Sequence, residues 1–159
     1  MQENITAGAD MPASFLGILD EALAHDRGYF LDRGDSLLPT IAGLTAAEAS
    51  QSLGPRSATM AAKVNHTAFY LDAVMTHLEH SPHLPVDWAS SWAVTEVDER
   101  EWQVMVDHLR DAHARVVALI ETAPVWDDRF VRALLGIVAH TAYHLGEIRQ
   151  ALAVVKPAG

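Results

Sequence analysis

The chain has no cysteine. That excludes disulfides, cysteine-based zinc sites and a thiol nucleophile of the protein's own, so any thiol in its chemistry must arrive with a ligand. Basic residues are scarce, with 11 Lys and Arg against 21 Asp and Glu and a net charge of −10. This balance works against general nucleic-acid binding and against adhesion to acidic membranes, and nine histidines soften it only in mild acid. No segment reaches eighteen unbroken apolar residues, and no basic stretch precedes an apolar run between Met1 and Asp10. Neither a membrane span nor a secretory leader is therefore expected, and the reading is cytoplasmic. Nine glycines and seven prolines are scattered between segments, which suits a folded helical protein rather than a disordered one.

Half of the 159 residues are hydrophobic, enough for a single domain with a real core. Residues 1–10 read as a flexible leader and 156–159 as a tail. Asp10 and Pro12 mark a helix start, and Phe15, Leu16, Leu19, Leu23 and Phe30 form a stripe that carries the helix to about Asp32, with Gly34 ending it. Leu37 to Leu44, with Pro39 and Gly43, reads as a loop, followed by the capping-box pattern Thr45 to Glu48. A second long helix is expected from about Arg56 to His80, with the ridge Met60, Val64, Ala68, Leu71, Met75 and Leu78. Ser81 to Val94 is a long crossover packed down by Trp88 and Trp92. Asp98 opens a third helix with a seam through Trp102, Val106, Leu109, His113, Val116 and Ile120, and a fourth runs from about Arg129 to Val155. The expected class is all-α, a four-helix bundle with a long crossover between helices two and three.

The chemistry concentrates in Val138 to Ile148. His140 and His144 are four residues apart, so on a helix they point the same way, about 6 Å from each other, close enough to hold one metal ion. Thr141 stands where a zinc protease motif needs glutamate, which rules that motif out. The two histidines share a face with Phe130, Ala133, Ile137, Ile148 and Ala151, so both should point inward. A catalytic divalent site usually takes three protein ligands plus open positions, so a third must come from another helix. His66, near the middle of helix two, leads; His77 on the same flank and His113 on helix three remain alternatives from pattern alone. His25, His80, His83 and His108 read as surface or loop residues. Glu147 could orient a histidine, accept a proton or simply be solvated, and Tyr70 and Tyr143 could line a pocket or merely fill space.

The segment His140-Thr141-Ala142-Tyr143-His144-Leu145-Gly146-Glu147-Ile148-Arg149-Gln150, with the earlier Asn65-His66-Thr67-Ala68 and Ser90-Ser91-Trp92 before helix three, resembles the DinB superfamily of four-helix-bundle proteins. The resemblance covers nearly the whole chain. It implies His66, His140 and His144 as a triad for nickel, zinc, iron or manganese. Glu147 departs from the glutamine often found at that position, and an acid there could tune the metal or add a contact. Members of the family include transferases and isomerases that use low-molecular-weight thiols, and proteins described as metal-dependent hydrolases.

Two functional classes follow. One is a metalloenzyme acting on a small electrophile, in which the ion acidifies a bound water or thiol and Glu147 or Tyr70 moves the proton. The other is a non-catalytic stress-response module holding a small apolar ligand, with a structural metal or none. Leu135, Ala139, Ala142, Leu145, Gly146 and Ala153 form a second, small-residue face of helix four, which somewhat favours a symmetric homodimer.

Overall fold

Helix ends are fixed by side chains close in sequence. In a computed structural model that describes residues 10–32, 34–79 and 84–156, Asp10 accepts a hydrogen bond from the Ala13 amide at 3.2 Å and opens α1, Met11–Leu23. A capping box of Thr45 and Glu48 opens α3, Ala46–Ala49. Another, of Asp98 and Glu101, opens α5, Glu99–Thr122. Asp127 accepts from the Phe130 amide at 2.8 Å and starts α6, Asp128–Val155. Each cap satisfies amides that the first helical turn leaves without partners. Residues 1–9 of the leader, Arg33, His80 to His83 and the last three residues lie outside the described residues.

Three boundaries differ from the periodic reading. α1 stops at Leu23 rather than near Asp32, and Phe30 is 45% exposed rather than part of the core. Polar chemistry on the last turn of α1 overrides the apolar stripe. Asp20 binds His25 at 3.0 Å and Arg27 at 2.5 Å, and Gly28, at φ 76°, turns the chain back. The fully buried Glu21 carboxylate then accepts the amides of Tyr29 (2.9 Å), Phe30 (3.1 Å) and Leu31 (2.9 Å). Burial alone would push the Glu21 carboxyl up, but the amides of Leu31, Phe30, Tyr29 and Gly28 outweigh it and hold it below the ordinary carboxylate range.

The Leu37–Ile41 segment, expected as a loop, is a short helix, α2. Pro39 falls in its first turn, where a missing amide loses nothing, and Leu37 and Ile41 are buried beneath it. The second long helix, α4, begins at Met60 and runs to Glu79 instead of starting near Arg56. Thr59 Oγ1 accepts from the Ala62 amide at 3.1 Å and sets that start.

Among the described residues there are six α-helices, one 3₁₀ turn at Ser90–Trp92 and no strand. α4 packs against both α5 and α6, and α1 lies against the same two helices. The core between them joins Leu19 and Leu23, Val64, Ala68 and Leu71, Val106 and Leu109, and Leu134, Ile137, Leu145 and Ile148. The small residues Ala61, Val64 and Ala68 on the buried side of α4 keep its backbone close to its neighbours. The connection into α5 is tied down at three points. Trp102 Nε1 donates to the Leu44 carbonyl at 3.0 Å, the Val97 amide to Ser50 Oγ at 3.0 Å, and the Ala46 amide to Glu99 Oε1 at 2.9 Å. Trp88 and Trp92 were expected to pack the crossover down, yet they remain 44% and 38% exposed. On the second face of α6, Leu145 is buried within the chain whereas Leu135 is 53% exposed. No described helix is long and apolar enough to cross a membrane.

The Glu21 arrangement gives a direct test. Glu21→Gln keeps the shape but replaces one acceptor oxygen with an NH2 group facing amide donors. It should lower the melting temperature by on the order of 5–10 °C. An unchanged melting temperature, measured by circular dichroism, would show that the 28–31 segment holds without the carboxylate.

Candidate metal centre

The middle of α4 faces the middle of α6, and this puts His66 opposite His140 and His144. Their ring nitrogens form a group in which one ligand atom from each lies within 4.8 Å of the others. His66 and His144 are buried at 7% and 4% exposure, and His140 is half-buried. These three side chains, close together and largely removed from water, could bind a metal ion.

Hydrogen bonds fix which nitrogen of two rings is available. Ser91, in the 3₁₀ turn, spends its single hydroxyl proton on the Trp88 carbonyl at 2.7 Å. Its oxygen can therefore only accept from His66 Nδ1, which lies at 2.7 Å, so Nδ1 carries the proton and Nε2 the lone pair. His144 Nδ1 lies 2.8 Å from Glu147 Oε2, and a carboxylate accepts, so Nδ1 carries a proton and the neutral ring has its lone pair on Nε2. The His66 Nε2 lone pair points at His140 Nε2, 3.1 Å away. The far nitrogen of His140, Nδ1, is buried without a partner. Two of the three imidazoles thus have the outer hydrogen bond that metal-binding histidines ordinarily possess, and His140 does not.

Aromatic rings hold the imidazole planes. Trp92 stacks on His66 at a centroid distance of 3.8 Å and 22° between planes, and Tyr70 stacks on His140 at 3.7 Å and 8°. Of the crossover tryptophans, Trp92 thus covers His66, while Trp88 packs against Phe69 and Tyr70 at the edge of the cluster. Asn65 ties the same turn to α4 by donating to the Ser91 carbonyl at 2.8 Å. Burial pushes His66 down to about 4, helped by the charge of His144 and opposed by that of Glu147. His140 is likewise pushed down to about 4, by burial first and then by His144 and His66. Burial also raises the Tyr70 phenol above its ordinary value, so near neutral pH it is a proton donor rather than a base.

The alternative third ligands lie elsewhere. His77 is about three turns further along α4, where its carbonyl accepts from Arg129. His113 sits on α5 with Nε2 buried and unpartnered, in an environment that includes Asp20 and His25 of the α1 end. His108, expected on the surface or in a loop, lies on α5 and binds Asp72 at 2.6 Å, and the exposed His25 binds Asp20. His80 and His83 fall outside the described residues. Tyr143 is 64% exposed, with its edge toward His144. The sequence reading passed over Ser91 as a partner for His66. Its contact spans 25 residues and no local spacing signals it. Compared with family models, with curated proteins and with solved structures, the chain matches none.

Two outcomes follow from this geometry. Ser91→Ala or Glu147→Ala removes the outer partner of one imidazole, and each should weaken divalent-metal affinity about ten- to a hundredfold in competition titrations; affinity unchanged in both would mean that these contacts do not orient ligands. His66 and His140 bind protons near 4 when folded but near 6.5 when unfolded. Stability of the metal-free protein should therefore be full above about pH 6.5 and fall as the pH drops toward 4, because there the unfolded chain binds more protons. Thermal unfolding of chelator-treated protein from pH 7.5 to 4.5 measures this, and His140→Ala should flatten the slope.

Proposed function

We propose that the chain is a divalent-metal enzyme of the DinB-like kind, acting in the cytoplasm on a small electrophilic substrate as a hydrolase or as a low-molecular-weight-thiol-dependent transferase or isomerase. In this reading α1, α4, α5 and α6 form a four-helix bundle with the crossover between α4 and α5, and His66, His140 and His144 hold the ion. The observation that carries the proposal is the convergence of three imidazoles within 4.8 Å, two of them with their lone pairs directed by Ser91 and Glu147. Surfaces seldom assemble buried, oriented, unprotonated nitrogen donors for packing alone.

An all-imidazole donor set suits zinc, nickel, iron or manganese better than magnesium or calcium. An ion held by His66, His140 and His144 would supply Lewis-acid chemistry, lowering the pKa of a water or thiol and polarising an electrophile. The chain's own groups do the rest. Ser91 and Glu147 hold the imidazoles in register. Tyr70, stacked on His140 and kept as a phenol by burial, is placed to donate a proton. Glu147 is bound to His144 through Oε2, and its second oxygen remains available to accept one. With no cysteine in the chain, a thiol reaction has to use a thiol cosubstrate.

Metal analysis of protein purified without added metal should give close to one equivalent of a transition metal per chain. His140→Ala should lose at least about a hundredfold in affinity while retaining its helical circular dichroism. Metal content unchanged in the variant would remove the proposal. Turnover of an electrophile panel, with and without added low-molecular-weight thiols, separates hydrolase from transferase, and saturable binding without product would mark a non-catalytic module instead.

A further inference from the structure

Among the buried residues of α4 stands one lysine, Lys63, between Ala62 and Val64. It lies one turn before His66, and the residue as a whole is only 7% exposed, but its Nζ is not itself buried, so the stem is packed in the protein and the ammonium reaches solvent. Lys63 has no ion pair or side-chain hydrogen bond among the described residues. It lines an open cavity of about 490 Å³, together with Leu53, Ser57, Glu147, Gln150 and Val154. Glu147 therefore has two roles in space. One oxygen holds His144 at 2.8 Å, and the same side chain forms part of the wall of the Lys63 cavity. The two charged groups share this wall without forming a salt bridge.

We infer that this cavity is a binding site for the carboxylate of a small organic acid, held by Lys63 beside the histidine cluster. A lysine with its stem buried and its head at a cavity wall is a preformed point charge for an anion. Ser57 and Gln150 offer polar groups beside it, while Leu53, Ala151 and Val154 give apolar surface for the rest of the molecule. The adjoining Glu147 sets the charge class. A doubly charged phosphate would meet its repulsion, whereas a carboxylate carries a single charge. An amine on the same ligand would gain from Glu147, so amino acids belong to the favoured class. Joined to the metal reading, on which this part rests, Lys63 anchors the acidic end of a substrate or thiol cosubstrate in a cavity whose wall includes Glu147, the partner of His144.

The full chain, isotope-labelled and metal-free, can be titrated by NMR with propionate, β-alanine and inorganic phosphate. Propionate and β-alanine should shift the amides of Ser57, Gly146 and Gln150 saturably, with phosphate at least about fivefold weaker. Lys63→Met keeps the buried stem and removes the charge, and it should weaken carboxylate binding at least tenfold; Lys63→Arg should retain most of it. Absence of saturable shifts in the wild type, or equal affinity in Lys63→Met with wild-type helical content, overturns the inference. If Lys63→Met does not fold, loss of carboxylate binding in Lys63→Arg as well overturns it. Zinc titration of Lys63→Met keeps the two readings apart: zinc bound as in the wild type with carboxylate binding lost supports the inference, and carboxylate binding to a wild-type chain that fails to bind zinc supports the site while removing its connection to metal chemistry.

Discussion

The contact that organises the centre of this molecule is between two imidazole nitrogens, His66 Nε2 on α4 and His140 Nε2 on α6, 3.1 Å apart. Ser91 leaves His66 with a lone pair directed at its neighbour, so the two rings are compatible only if a proton, or a cation in place of it, lies between them. When His140 Nε2 supplies that proton, its Nδ1 must carry the lone pair, and Nδ1 is buried with nothing to bind. A buried polar atom without a partner costs about 1–3 kcal/mol. The cluster is thus under polar tension as a purely protein arrangement. Its surroundings are nonetheless built with care, with two rings given outer partners and two stacked on aromatic planes.

Elements far apart in the chain converge to keep this contact. α4 and α6 supply the rings, and the backbone between Trp88 and Trp92 supplies both a hydroxyl and an indole face. That turn is secured in its own right, because Asn65, next to His66, holds the Ser91 carbonyl. The half-exposed tryptophans then make sense. The face of Trp92 is committed to His66, Trp88 lies against Phe69 and Tyr70 with His66 beyond them, and part of each indole remains in solvent. A side chain that would be a poor core anchor is a good cover for a polar cluster that must stay largely dry.

Much of this was legible in the chain because much of it is local. Helix starts at Asp10, Thr45, Asp98 and Asp127 are read from residues within one turn, and the His140–His144 spacing fixes a common face whatever the tertiary structure. What failed was set by contacts outside that range. The apolar stripe through Phe30 says helix, but Glu21 offers its carboxylate to amides of residues 29–31 and wins, since a satisfied buried charge outweighs a weak periodic preference. Pro39 was read as a breaker, although in a first turn it is compatible with a helix. Periodicity gave the face of His66 and His77 but not their height. Eleven residues along α4 is about 16 Å, and only the packing of α4 against α6 decides which of them meets the pair.

The same geometry also divides labour between the groups able to move protons. Tyr70 is pressed against His140 and raised above its ordinary value by burial, so it gives a proton and does not take one. Glu147 faces two ways, toward His144 and toward the Lys63 cavity. Any change in charge within that cavity is therefore felt by the carboxylate that orients His144, one bond network from the centre of the cluster. A neutral glutamine at this position would still accept a hydrogen bond from His144, but it would not couple ring orientation to the charge next door, because its side chain carries no net charge to be attracted or repelled. The acid at 147 is thus the point where the positioning of an imidazole and the charge of the Lys63 cavity become one electrostatic problem.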